Sequence, residues 1–211
     1  MDREGFAAQF DVPCGTLARL ERYAALLGAW QQRLNLVAAG TLADLWGRHF
    51  ADSAQLARLA PPGLAWLDIG SGAGFPGLVL AAMEHGRVTL VESIAKKARF
   101  LEAVIAELRL DARVVTARAE ALAPVPADVV TARAVAPLST LFGWTAHHGH
   151  AGTRWILPKG RRWKEELAEA RRTWDFTAEA VPSLTEPEAR IIVAAAPRRR
   201  ARARGPGSGP P

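Results

Sequence analysis

The chain has 211 residues, 49% of them apolar and 7% aromatic, which is enough for one sizeable core and excludes a disordered protein. A single cysteine, Cys14, excludes an intramolecular disulfide, and the nearly apolar stretch Gly77 to Met83 is far too short to span a bilayer. Five of the arginines behind the formal charge of +6 lie after Pro197; the remaining 22 basic residues nearly match the 21 acidic ones, so net charge alone does not argue for nucleic acid.

The start, M-D-R-E-G-F-A-A-Q-F, mixes acids with a base and does not read as a secretory signal, so a soluble cytoplasmic protein is expected. Residues 16 to 60 read as helical. Leu17, Leu20, Ala24 and Leu27 recur at three- and four-residue steps, and Leu42, Leu45, Leu56 and Leu59 point to further short helices. Pro61-Pro62-Gly63 then breaks the pattern, which sets residues 1–62 apart as a helical extension.

From there short apolar runs alternate with helical stretches. Strands are expected at 65–69, 87–92, 113–116, 128–133, 154–160 and 190–196, with helices over 77–83 and 96–108. Near-continuous apolar strands separated by helices predict an α/β fold with a mostly parallel sheet covered on both faces, spanning residues 63–197. Residues 198–211, rich in Arg, Gly and Pro, read as a disordered tail with almost nothing apolar to bury.

The first strand runs into L-D-I-G-S-G-A-G-F-P-G, Leu67 to Gly77. Glycines at 70, 72 and 74 are expected to remove β-carbons that would collide with a ligand lying over the sheet end, and Gly77 to let the next helix begin tightly. Glu92 ends the second strand, where a carboxylate can accept both hydroxyl hydrogens of a ribose. Asp68 is placed to orient the loop or to meet a ligand's amino group. The order G-x-G-x-G behind an acid departs from the G-x-G-x-x-G of dinucleotide enzymes. S-adenosylmethionine, cationic and without phosphate, suits it better.

Methyl transfer from a sulfonium needs alignment more than side-chain chemistry. Cys14 lies in the helical lead-in, away from the strand ends, and the position where amine methyltransferases carry a polar N-P-P-Y loop reads T-A-R-A-V-A-P, residues 131–137. Arg133 there cannot act as a base, but it can bind phosphate or the O6 and N7 edge of guanine. Arg118 after the third strand and Lys159 after the fifth offer further cations, and K-G-R-R-W-K (159–164) adds a basic patch with an aromatic; the alternative is a solvated charge or a helix-end pair, since Glu165, Glu166 and Glu169 follow at once. H-H-x-H at 147–150 lies beside glycines with no acid near it in sequence; it reads as a surface loop, and no metal is expected.

Six segments occur in one order: W-Q-Q-R-L-N-L-V (30–37), R-H-F-A-D-S (48–53), the glycine loop (67–77), V-E-S-I-A-K-K-A-R-F-L (91–101), A-R-A (132–134) and P-K-G (158–160). Together they resemble the bacterial RsmG (GidB) family of small-subunit rRNA guanine-N7 methyltransferases. The resemblance implies a class I, Rossmann-like methyltransferase fold with a seven-stranded sheet and an N-terminal helical extension. It further implies transfer from S-adenosylmethionine, leaving S-adenosylhomocysteine, to a guanine of the 530 loop of 16S rRNA, guanine 527 in the usual rRNA numbering. The partner is then 16S rRNA, the 30S subunit or its assembly intermediate. Neither a membrane nor an obligate protein partner is called for, and a monomer suffices.

Asp68, Gly70, Gly72, Gly74, Phe75, Gly77, Glu92, Ser93, Ala119, Glu120 and Arg133 are expected around the cofactor, the four glycines, Glu92 and Arg133 by the same resemblance and Glu120 from its place after the third strand, with a solvated surface charge as its alternative. Arg118, Arg133 and Lys159 are expected to position the acceptor. Asn35, Arg48, His49, Asp52 and Ser53 match the N-terminal motifs, with a lid or substrate-orienting role. A class I methyltransferase acting on a different RNA guanine or a small molecule, a nicotinamide-dependent oxidoreductase and a non-enzymatic RNA-binding protein are the rival readings of the sequence.

Overall fold

The computed structural model describes residues 1–201. Helix α1 (Arg3–Phe10) starts where the Asp2 carboxylate accepts from the Gly5 amide at 2.9 Å, which satisfies one of the free N–H groups of the first turn. Helix α2 (Cys14–Gln31) buries Leu17, Leu20, Tyr23 and Leu27 on one face, as their spacing predicts. The rest of the extension is tighter and wider coil than an α-helix. A 3₁₀ segment (Ala39–Asp44), a π-helical turn (Trp46–Ala51), the single turn α3 (Asp52–Ala54) and a second 3₁₀ segment (Gln55–Leu59) follow one another. Such irregular turns redirect side chains, and π turns in particular gather at functional sites.

Seven strands form one sheet: β1 (Leu64–Ile69), β2 (Gly86–Glu92), β3 (Ala112–Thr116), β4 (Val129–Thr131), β5 (Arg154–Lys159), β6 (Trp174–Pro182) and β7 (Arg190–Arg199). Their order is β3-β2-β1-β4-β5-β7-β6; β1 to β5 run parallel, and β7 lies antiparallel to both its neighbours. The strand order reverses between β1 and β4, which opens a crevice at their carboxyl ends.

Helices α4 (Gly77–Ala82) and α5 (Ala95–Leu108) and the N-terminal extension cover one face, burying Tyr23, Phe50, Phe75 and Phe100 among the core residues. Helices α6 (Leu138–Thr145) and α7 (Trp163–Thr173) cover the other, over Phe142, Trp155 and Trp174. Helix α7 has few apolar residues and is helped by charge: Glu165 and Glu166 stand in its first turn, Arg171 and Arg172 in its last, each complementing the helix dipole.

Three expectations are corrected. Strand β7 runs to Arg199, with Arg198 opposite Asp175 and Arg199 opposite Trp174, so the expected tail begins inside the sheet; residues 202–211 lie outside the described residues. The H-H-x-H stretch is not wholly surface. His148 is 1% exposed and its Nδ1 accepts from the Val125 amide at 3.0 Å. Nor is it without an acid, because the chain folds Asp128 to within 3.0 Å of His150 Nε2. Among the described residues no group of three or more His, Cys, Asp or Glu is arranged to hold a metal ion, and no helix is long and apolar enough to cross a membrane.

Candidate active site

A cleft of about 1160 Å³ opens where β1, β2, β4 and β5 end. Gly70, Ser71, Gly72, Ala73 and Phe75 form its floor, Glu92 and Ile94 one side, and the segment Arg133 to Pro137 another. The N-terminal extension contributes Arg48, His49 and Asp52, and the β6–β7 hairpin contributes Ser183, Leu184 and Thr185.

The glycines serve different ends. At Gly72, with φ +57°, an added Cβ would meet nothing closer than the Gly70 carbonyl at 3.8 Å, so that position alone leaves its space to the cleft. The others are needed by the protein itself, which corrects the expectation that all three loop glycines clear space for a ligand. A Cβ at Gly70 would lie 2.6 Å from Val135, and one at Gly77 would lie 2.7 Å from Asp68 Oδ2. At Gly74, with φ +98°, it would lie 2.3 Å from Leu78 and 2.7 Å from the Tyr23 hydroxyl. Gly74→Ala is therefore expected to destabilise the protein by about 2–4 kcal/mol, from backbone strain and overpacking together. Denaturant unfolding tests it: an unchanged midpoint would contradict the packing argument.

Glu92 holds the loop from the side. One carboxylate oxygen accepts from Gly72 N at 2.9 Å and the other from Ile94 N at 2.8 Å. A carboxylate has about four lone-pair sites, so two acceptor positions remain toward the cleft. Asp68 holds the loop from below. Its Oδ2 accepts from Gly77 N at 3.2 Å while Oδ1 is buried without a partner. Burial raises its pKa to about 7, against the lowering effect of the Ser71 and Gly77 hydrogen bonds. A carboxyl that prefers its proton when folded contributes stability at low pH and loses it as pH rises from about 4 to 7. The melting-temperature gap between Asp68→Asn and the native protein should thus widen in the variant's favour from pH 5 to pH 8; a constant gap would refute the assignment.

Arg133 gathers the N-terminal motif. Its guanidinium donates to Asp52 Oδ2 at 3.1 Å, to the Arg48 carbonyl at 3.2 Å and to His49 Nδ1 at 2.8 Å, and lies 5.0 Å over the Phe75 ring. Arginine can only donate, so His49 Nδ1 is the acceptor and the ring proton sits on Nε2. From Nε2 it donates to Thr41 Oγ1 at 2.9 Å, whose own hydrogen goes to the Ala38 carbonyl at 2.7 Å. Burial, then the Arg133 cation, push the His49 pKa down to about 4, and the ring stacks on Phe75 at 4.7 Å. His49 is a neutral, fully engaged support.

The other expected residues divide. Lys159 reaches the cleft but is 8% exposed, donating to the Ala136 carbonyl and pairing with Glu166, each at 2.8 Å; it fixes the 133–137 segment. Ser53 is buried against the His49 carbonyl at 2.7 Å. Arg118 stands apart from the cleft, exposed and drawn to Glu120 at 2.6 Å along the surface, so the expected trio of cations is not assembled. Ser93 is exposed and Ala119 half-buried against the second core; neither they nor Glu120 line the cleft. Asn35 is exposed, and neighbouring Gln31 shapes that loop instead, accepting from Leu36 N and Val37 N and donating to the Val37 carbonyl.

Sequence reasoning missed Tyr23, Gln55 and Thr185. The Tyr23 hydroxyl donates to the Ala73 carbonyl of the glycine loop. Gln55 accepts from Leu184 N at 2.8 Å and donates to Asp52 Oδ1 at 2.9 Å, while Thr185 Oγ1 donates to the same Asp52 oxygen at 2.8 Å. The one available signal was Gln55's position two residues after the D-S of R-H-F-A-D-S.

Sheet order, crevice and glycine loop define the class I S-adenosylmethionine-dependent methyltransferase fold. Solved structures agree: a TehB-like methyltransferase of that kind from Corynebacterium glutamicum superposes with TM-score 0.58 at 16% identity, covering 81% of this chain and 98% of that one. One from Aquifex aeolicus gives TM-score 0.56 at 14% identity, over 72% and 92% of the two chains. The sequence narrows this class: residues 16–192 match the profile of the GidB family, rRNA small subunit methyltransferase G, and the chain belongs to that family. Among its relatives, the ribosomal RNA small subunit methyltransferase G of Hyphomonas neptunium is 45% identical over 86% of this chain and 88% of its own length. That of Paramagnetospirillum magneticum is 48% identical over 84% and 87%.

Proposed function

We propose that this chain transfers the methyl group of S-adenosylmethionine to N7 of a guanine in the 530 loop of 16S rRNA, within the cytoplasm. The residues fit the cofactor: the open space beside Gly72, the remaining acceptor positions of Glu92 for a ribose, and half-exposed Ile94 next to it for an adenine face. When bound, the sulfonium supplies an activated methyl carbon.

The observation that carries the acceptor assignment is that, among the described residues, no group bonded to Arg133 or to the segment behind it is free to act as a base. His49 has both ring nitrogens engaged, Asp52 is committed to Arg133, Gln55 and Thr185, and Lys159 is paired. An exocyclic amine or hydroxyl acceptor needs help with its proton; guanine N7 has none to lose. Arg133 retains N–H donors beyond its three bonds, and guanidinium is suited to the O6 edge of guanine. Arg48, Lys97 and Arg190 also line the cleft and form no ion pair among the described residues, which suits an anionic backbone. The chain's task is then alignment of nucleophile, methyl and sulfur, an effect large enough to dominate catalysis.

The test is incubation with labelled S-adenosylmethionine and undermethylated 30S subunits, naked 16S rRNA or free nucleosides, with the modified base mapped by mass spectrometry. Label on N7 of the 530-loop guanine, in one of the two RNA forms and not in nucleosides, is expected. Label on another base or on a small molecule overturns the reading.

A further inference from the structure

Among the described residues four large apolar side chains are exposed: Met1, Ile94, Val135 and Leu184, and all four line this one cleft. Isolated exposed apolar residues are ordinary, but their confinement to a single concave site marks a surface that something apolar covers. Ile94 lies beside Glu92 on the cofactor side. Leu184 lies elsewhere in the cleft: it sits just after β6 in the β6–β7 connection and is 49% exposed.

Its placement is built rather than incidental. Its amide donates to Gln55 Oε1, and its two neighbours are tied to the same N-terminal turn, Ser183 Oγ by Gln55 Nε2 at 3.3 Å and Thr185 Oγ1 by Asp52. Asp52 in turn holds Arg133. The hairpin loop is thereby tied through Asp52 to the group assigned to the guanine edge, and Leu184 within it is left exposed in the cleft. Val135, two residues from Arg133, is seated against Gly70, where no β-carbon intrudes.

We infer that Leu184, with Val135, forms an apolar clamp on the faces of the acceptor guanine, Gln55 and Asp52 acting as positioning residues for it. This rests on the proposed function and adds the surface that orients the base. A purine presents two apolar faces and polar edges; Arg133 supplies the edge contact and the two aliphatic side chains supply the face. The unpaired Arg48 and Arg190 on the same rim complement the phosphates of the strand carrying that base.

Leu184→Ala and Leu184→Met are compared with the native protein in steady-state methylation of undermethylated RNA. The KM for RNA and kcat are measured separately, and S-adenosylhomocysteine affinity and melting temperature are measured alongside. Leu184→Ala should lower kcat/KM for RNA about tenfold, with cofactor affinity and melting temperature unchanged, and Leu184→Met should restore most of it. Native turnover with an Ala variant equal to it refutes the clamp alone. A loss that Met does not restore, or one accompanied by weaker cofactor binding, also refutes it. A native protein that methylates none of the RNA forms refutes the proposed function instead.

Discussion

Replacing Glu92 with alanine is expected to weaken S-adenosylmethionine and S-adenosylhomocysteine binding by at least about 100-fold. Two contributions add. A ribose hydroxyl donating to a charged acceptor contributes about 1.5–3 kcal/mol, and two such bonds are available to the free lone pairs of the carboxylate. The same substitution leaves the Gly72 and Ile94 amides without the oxygens that hold them at 2.9 and 2.8 Å, so the floor and side of the cleft lose their shared anchor. Isothermal titration with S-adenosylhomocysteine reads the effect directly. A dissociation constant that moves by less than about threefold would show that the ribose lies elsewhere. Glu92→Gln should fall between, since its amide oxygen keeps one backbone bond and its nitrogen cannot accept.

Arg133→Ala should lower kcat about 100-fold, a loss comparable to removing one preorganised donor from a reacting group, while leaving cofactor affinity nearly intact. The network supplies a second readout. Arg133 is one of the groups that depress the His49 pKa to about 4, and Asp52 opposes it. Without the guanidinium, Nδ1 loses its donor and Asp52 loses its cation, so the His49 titration should move upward toward the ordinary imidazole range. Nuclear magnetic resonance of the imidazole carbons follows this. Arg133→Lys should restore part of the charge effect but little turnover, because an ammonium cannot span Asp52, His49 and a base edge at once. Full activity in Arg133→Ala would remove Arg133 from the acceptor site.

Strands β1, β2, β4 and β5 were readable because most of their residues are buried and so stand out as apolar runs, and β3, half-buried and exposed at the sheet edge, showed through its paired valines; expected and observed ends differ by at most two residues over β1 to β5. Strand β6, W-D-F-T-A-E-A-V-P, escaped notice because it alternates between half-buried and exposed positions at the sheet edge, a weaker pattern that Asp175 and Glu179 dilute further. Helix α6 carries no charged residue to mark an outer face. In the site, Glu92 and the glycine loop were legible from spacing within one β-α-β unit. The bond between Thr185 and Asp52 was not. It joins residues 133 positions apart, and a single polar contact has no periodicity to betray it. Lys159 was readable two ways, as a site cation after a strand or as one half of a charge pair with the acids that follow, and the fold pairs it with Glu166.

The hydroxyl under the glycine loop belongs to the chain's single tyrosine, against seven tryptophans. Tyr23 is fully buried, and desolvation holds its pKa well above 10, so it stays a phenol under any working condition. Biosynthetic incorporation of fluorotyrosine therefore places one reporter nucleus in the whole chain, at the underside of the cofactor loop. Its lone resonance would follow loop occupancy in a mixture with RNA, where seven indoles would obscure any optical signal.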